Sequence, residues 1–294
     1  MPASPSRQRS EGRGVTSAGR GIDLEASGLG FVYPDGTRAL EGVDLRIPAG
    51  DVVAIVGQNG SGKSTLVRHF DGLLRATEGR VAVDGVDVGR RHVAELARLV
   101  GVVFQNPDRQ IFAGRVRTEV AFGARNLGLR GAALDERVAA ALEWVGLTEH
   151  TADNPYDLGY SKRKLLAMAS ILAMETPAVI LDEPTTGQDL VGVARVRSIV
   201  ADLAAAGRTV VAISHDMRFV AETFGRVIVM QAGRIVLDGT PGEVFARSNW
   251  GVLAATYLEP PLAARIGAAA GLGSTPTEAT LVAALLAGRI SPPG

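Results

Sequence analysis

With 294 residues, 46% of them apolar and 21% charged, the chain is long enough to bury a large core and too apolar for wholesale disorder. Its formal net charge is zero, which excludes a broad field for nucleic acid or anionic lipid, and it has no cysteine, which excludes disulfides, thiolate chemistry and cysteine-bound metal. No apolar run reaches the roughly 18 residues of a membrane span, and the opening stretch lacks the apolar core of a secretory signal.

That opening, MPASPSRQRSEGRGVTSAGR, is rich in Ser, Gly, Pro and Arg, so residues 1–21 are expected to be a disordered basic tail. Residues 22–245 read as one nucleotide cassette. LEASGLGFVY, LEGVDLRI and GRVAVDG are short β runs bounded by Gly, Pro and Asp. Between them DVVAIV (Asp51–Val56) is a short apolar run, as a buried parallel strand is. A helix is expected next through STLVRHFDGLL, then a second buried strand at Leu99–Gln105.

From residue 115 to 175 the apolar spacing turns helical, which predicts a helical subdomain over about residues 106–176. AVILD, TVVAIS and RVIVMQ then alternate with helical stretches, the pattern of a parallel sheet with crossover helices. Residues 246–294 read as a small helical extension. Within it Thr275-Pro276-Thr277-Glu278 predicts a helix start, with Thr275 as cap and Glu278 three residues on.

The chemistry begins at GQNGSGKST, Gly57–Thr65, which follows a buried strand and opens a helix. That context gives the spacing G-x-x-x-x-G-K-[ST] its meaning as a phosphate loop. Gly57, Gly60 and Gly62 free the backbone N–H groups of Gln58, Asn59 and Ser61 to wrap phosphate oxygens, and the helix start adds positive potential. Lys63 is placed to reach the β- and γ-phosphates of ATP, and the Ser64 hydroxyl to ligate Mg²⁺. The chain uses 28 arginines and only three lysines, so a site that keeps lysine favours a slender point charge over a planar fork. Lys63 fits that rule; the other two, Lys162 and Lys164, fall in the stretch LGYSKRK.

Three further strand ends carry polar groups. AVILDE ends in Asp182, expected to hold the metal, and Glu183, expected to deprotonate an attacking water. TVVAISHD delivers His215, expected to hydrogen-bond the γ-phosphate and the water. Gln105 also ends a buried strand, where it would sense metal and γ-phosphate.

These motifs in this order resemble the ATP-binding subunit of an ABC transporter, from about Leu24 to Phe245. GQNGSGKST corresponds to Walker A, VVFQNP to the Q-loop, VILDEP to Walker B, TTGQD to the D-loop around Asp189 and ISHD to the switch histidine. The resemblance implies that Tyr33 of FVYP stacks on adenine. The implied fold class is α/β: a mostly parallel P-loop NTPase core sheet, an N-terminal antiparallel β subdomain, an inserted helical subdomain and a small helical C-terminal tail. VFQNPDRQIFA, EVAFGARNLGL and LEPPLAARIG are further similar to the ATPases of energy-coupling factor transporters, which import vitamins and transition-metal ions.

One motif departs from the family. Its L-S-G-G-Q signature, which receives the γ-phosphate of the dimer partner's ATP, falls on Leu158, Gly159, Tyr160, Ser161 and Lys162. Gly159 removes the hydroxyl, Tyr160 adds bulk, and Lys162 brings a cation to the glutamine slot. LGYSKRK therefore reads as a solvated basic helix start without a role, as a degenerate signature contributing one weak site to an asymmetric dimer, or as a working variant using Lys162 and a shifted Ser161 hydroxyl. The last two suit an otherwise complete cassette that draws on scarce lysines, and both stay open.

The resemblance implies an ATPase with ATP and Mg²⁺ as cofactors, on the cytoplasmic face of the cell membrane. Its expected partners are a transmembrane coupling subunit, a substrate-binding membrane subunit and a second ATPase in a heterodimer, or a second copy in a homodimer. The surface around Gln105–Asp108 and the helical block is the expected docking region. A soluble ATPase acting on nucleic acid or ribosomes is the alternative, disfavoured by a single cassette, the absence of sustained heptads and a basic segment confined to a short tail. A nucleotide-binding regulator without hydrolysis is disfavoured by Glu183 and His215.

Overall fold

The computed structural model of the chain describes residues 20–288, so the basic tail expected over residues 1–21 lies almost wholly outside the described residues. At its end Gly21 is already anchored, its N–H donating to the carbonyl of Gly207 at 2.8 Å.

The expected β runs form as β1 (Leu24–Val32), β2 (Arg38–Ile47), β3 (Val52–Val56), β4 (Glu78–Val83) and a short β5 (Val86–Asp87). After β3 comes helix α1 (Lys63–Phe70); α2 (Val93–Leu96) precedes strand β6 (Val100–Val103). Helices α3 (Val116–Asn126), α4 (Gly131–Val145) and α5 (Tyr160–Leu172) make the helical block. Strand β7 (Ala178–Asp182), helix α6 (Leu190–Ala205), strand β8 (Thr209–Ile213), helix α7 (Met217–Thr223) and strands β9 (Arg226–Gln231) and β10 (Arg234–Gly239) follow. Four short helices close the described residues: α8 (Pro241–Val244), α9 (Trp250–Ala255), α10 (Leu262–Ala269) and α11 (Glu278–Gly288).

Two sheets result. One is antiparallel with strand order β2-β1-β4-β5; the other has order β10-β9-β3-β8-β7-β6. In the second, β9, β3, β8, β7 and β6 pair in parallel and only the edge strand β10 pairs antiparallel. Buried on both faces, the central strands must be apolar at every position, which is why DVVAIV, AVILD and TVVAI show no alternation. Their side chains still alternate in direction. Val53 and Ile55 join Leu66 and Phe70 of α1 and the antiparallel sheet in one core, while Ala54 and Val56 join Val196 and Ile199 of α6 in another.

The helical block shares the second core through α5, whose Leu165, Leu166, Ala167, Met168 and Ala169 are all buried. A helix apolar all round must be enclosed, and each large side chain so buried contributes about 1.5–3 kcal/mol.

Two local expectations are corrected. Helix α1 ends at Phe70 rather than running through Leu74, because Gly72 turns to φ 76° and the Asp71 carboxylate accepts the N–H of Leu73. The cap of α11 is Thr277, not Thr275: the Thr277 hydroxyl accepts the Thr280 N–H at 3.2 Å. The Thr275 hydroxyl is buried and donates to the carbonyl of Ala263 at 2.8 Å. A capping box, Thr240 and Glu243 on α8, precedes the extension, which places Leu253, Leu258 and Ala264 in the larger core. No helix among the described residues is long and apolar enough to cross a membrane.

Candidate active site

The loop between β3 and α1 turns on glycines. Gly57 has φ 153° and Gly62, which caps α1, has φ 100°. A Cβ at Gly57 would lie 2.4 Å from the Met230 carbonyl oxygen, and one at Gly62 would lie 2.7 Å from that of Ala39. Gly57→Ala is therefore expected to lower stability by about 1–3 kcal/mol. A melting temperature equal to wild type would contradict the close approach. Within the loop the Lys63 ammonium group donates to the carbonyls of Gly57 at 2.7 Å and Gln58 at 2.8 Å. Burial pulls its pKa down, against the opposing pull of Glu183 and Asp182.

Strand β7 delivers the acids. Asp182 is its last residue, and its Oδ2 accepts from the Ser64 hydroxyl at 3.5 Å. Burial, then the neighbouring charge of Glu183, pushes the Asp182 carboxyl above its usual range. Glu183 leaves the strand with φ 51°, unusual for a residue with a side chain, and its N–H donates to the Ile213 carbonyl at 2.9 Å. Its Oε2 accepts from His215 Nδ1 at 2.7 Å and from the Thr186 hydroxyl at 3.4 Å. A carboxylate only accepts, so the imidazole carries a hydrogen on Nδ1.

A cavity of about 260 Å³ is lined by Tyr33, Asn59, Gly60, Ser61, Gly62, Lys63, Ser64, Thr65, Gln105, Asp182 and Glu183. The phosphate-loop residues, Tyr33, Gln105, Asp182 and Glu183 thus converge, with Gln58 contributing its carbonyl to Lys63 and His215 reaching the site through Glu183, while Leu158 to Lys162 and Asp189 lie outside this lining. Tyr33 packs its ring edge-on to Phe31 at 4.8 Å and pairs its hydroxyl with Thr65 at 3.0 Å. The donor set suits a small hard cation. Ser64 and Asp182 present oxygens side by side, and a divalent ion would offset the crowding of Asp182 and Glu183. Among the described residues no cluster of three or more His, Cys, Asp or Glu side chains forms a metal cage, so such an ion would need phosphate oxygens as well.

The start of α5 is partly exposed and tied to neighbouring loops. Gly159 caps the helix without a side-chain bond, and Leu158 beside it is buried. Tyr160 packs against Gly187 and donates to the Gln105 carbonyl at 3.5 Å. The Ser161 hydroxyl donates to Gln188 Oε1 at 2.8 Å, so it is engaged with the loop before α6. Lys162 is exposed and donates to His150 Nε2 at 2.9 Å; His150 in turn donates from Nδ1 to Asp153 at 2.7 Å. Asp189 caps α6, accepting the Gly192 N–H at 2.7 Å.

Several residues of the site carry no motif. Lys164 is fully buried and its ammonium group donates to the Glu183 carbonyl, with the Thr186 carbonyl at 3.4 Å. Burial lowers its pKa to about 8, against the nearby Glu183 and Asp182. Gln110 joins the loop after β6 to α5, accepting the Phe104 N–H at 3.1 Å and donating to the Ala167 carbonyl at 2.8 Å. One sequence signal pointed to Lys164, the scarcity of lysine. Gln110 lies in VFQNPDRQIFA, and Thr186 and Gln188 in TTGQD, but those motifs assigned them no role.

A family model described as ABC transporter matches residues 40–186. The energy-coupling factor transporter ATP-binding protein EcfA of Methanocaldococcus jannaschii is 41% identical over 225 residues, covering 76% of this chain and 81% of that protein. A putative ABC transporter ATP-binding protein of Streptomyces avermitilis is 42% identical over 76% of this chain and 84% of its own length. Among solved structures, cbiO1 from Clostridium perfringens, part of the ABC transporter complex cbiONQ, aligns with TM-score 0.71 and 36% identity over 84% of this chain and 98% of that one. An ATP-binding cassette solved as a dimer in a post-hydrolysis state with ADP and Pi aligns with TM-score 0.68 and 25% identity, over 74% of this chain and 98% of that one. With a phosphate loop, paired acids and a histidine gathered at the ends of neighbouring parallel strands, and with these relatives, the chain belongs to the ABC transporter family and is one of its ATPases.

Proposed function

We propose that this chain is the ATP-hydrolysing subunit of a multi-subunit membrane importer of the energy-coupling factor type, taking up a vitamin or a transition-metal ion. The observation that carries the reading is a complete hydrolytic constellation in a chain whose relatives include EcfA over most of its length. An apolar groove of about 430 Å³, lined by Ala97, Phe112, Phe122, Leu127 and Met174 among others, supports docking of a separate membrane subunit. Phe112 and Phe122 are exposed there and stack edge to face at 4.7 Å.

In this reading Lys63 leaves its loop carbonyls for the β- and γ-phosphates, and loop N–H groups wrap the remaining oxygens. Tyr33 stacks on adenine. Ser64 and Asp182, with Gln105 nearby, would hold Mg²⁺, which would neutralise charge on the phosphates. Glu183 takes a proton from the attacking water as the water's oxygen bonds phosphorus and the bond to the β-phosphate oxygen breaks. His215 holds Glu183 through Nδ1.

Two cassettes would close head-to-tail, each ATP lying between one chain's phosphate loop and the other's α5. In this chain the Ser161 hydroxyl is committed to Gln188 and Lys162 to His150, which supports the degenerate-signature reading and a heterodimer with a second ATPase of fuller signature. Purified alone, the chain is expected to hydrolyse ATP slowly. Gly159→Ser, Tyr160→Gly, Ser161→Gly and Lys162→Gln together are expected to raise that rate by roughly tenfold or more. Brisk turnover by the unaltered chain removes the need for the partner. Co-purification with a multispan protein, and ATP-dependent uptake in vesicles holding both, tests the importer; salt-sensitive binding to RNA or DNA with no membrane partner overturns it.

A further inference from the structure

We propose that Lys164 is a positioning residue for ATP hydrolysis: its buried ammonium group clamps the backbone of the turn that carries Glu183 and so sets where the carboxylate stands. The proposal rests on Glu183 being the base. Glu183 sits at φ 51°, a conformation that costs a residue with a side chain and persists only where the surroundings hold it. Its side-chain tethers are insufficient for that. His215 is 66% exposed and Thr186 reaches Oε2 only at 3.4 Å. The backbone is gripped from both sides instead. The Glu183 N–H donates to Ile213 at 2.9 Å, while its carbonyl accepts from Lys164, which also lies 3.4 Å from the Thr186 carbonyl three residues on. One ammonium group therefore spans the turn from its first residue to its fourth.

Packing alone does not account for a lysine here. Position 164 is 0% exposed, and its neighbours on α5 are Leu165, Leu166, Ala167 and Met168, all buried. An apolar side chain would fill the same space without removing a charge from water. Arginine is the default cation of this chain, 28 to three, yet a planar guanidinium is wide where two carbonyls converge on one slender stem. The ammonium group offers three donors at a point. Lysine recurs in the chain at just one other buried position, Lys63, which likewise donates to two loop carbonyls.

Lys164→Met keeps the length and removes the donors. In the ATPase-active assembly its kcat is expected to fall by about ten- to hundredfold, the cost of a displaced catalytic group. KM for ATP and the affinity for a fluorescent ATP analogue should stay within about twofold, because the phosphate loop is untouched. Lys164→Gln, which keeps a shorter N–H donor, should fall between the two. A thermal melt shows whether each variant folds; if Lys164→Met does not, Lys164→Gln is judged by the same split between kcat and KM. Wild-type kcat, or a loss of kcat matched by an equal loss of nucleotide affinity, overturns the proposal. Glu183→Gln measured alongside separates the two claims. If that variant still turns over, the base assignment fails. If it is inactive while Lys164→Met behaves as wild type, only the clamp fails.

Discussion

Glu183→Gln protein is expected to hold ATP as tightly as wild type and to hydrolyse it at least about a hundredfold more slowly, the usual worth of a positioned base. The carboxamide keeps the shape of the side chain and an oxygen for the His215 Nδ1–H, so the turn need not move. What it lacks is the capacity to accept a proton from water. Phosphate release and equilibrium binding of a fluorescent nucleotide check the two halves separately. An unchanged rate would reject Glu183 as the base, and a matching loss of binding would mean the exchange had disturbed the phosphate loop instead.

The second large effect is on binding. Lys63→Met removes an ammonium group that stands among Gly57, Gln58 and Ser61 and is only 8% exposed. Charge-assisted hydrogen bonds to phosphate contribute about 1.5–3 kcal/mol each, so losing two is expected to weaken ATP by roughly a hundredfold or more. Melting temperature reads this directly. Wild type at a hundred times its Kd should gain about 2.7 kcal/mol from ATP, and the variant close to none. Without nucleotide the variant should melt near wild type: burial already penalises the charged form of Lys63, and its removal relieves that penalty while costing two hydrogen bonds. A full ATP-dependent shift in the variant would contradict the assignment.

Much of this site was legible because its signals are local. A buried strand, glycines at 57, 60 and 62 and a helix start lie within one short stretch, and backbone geometry alone makes that stretch a phosphate loop. Asp182, Glu183 and His215 were legible for a related reason: each stands at or just beyond the end of an apolar run, and parallel strands bring those ends together. The start of α5 was not legible, since the partners of Tyr160, Ser161 and Arg163 come from two loops whose approach no spacing encodes. Tyr160 meets the Gln105 carbonyl, Ser161 meets Gln188, and Arg163 meets Asp108 at 2.9 Å. Thr275 shows the same limit from the other side. The tetrapeptide suggested a cap, but tertiary packing against Ala263 and Gly267 claimed its hydroxyl, and the cap moved to Thr277.

Helix α5 has one further property that follows from where its two ends lie. Its 13 residues make a rod about 20 Å long. Near its far end Ser170 and Ile171, with Met174 just beyond, form a wall of the apolar groove; near its origin Lys164 grips the turn of Glu183. In the proposed importer, a partner seated in the groove would press on one end of a stiff strut whose other end holds the turn of Glu183, so force and chemistry would share a single mechanical part.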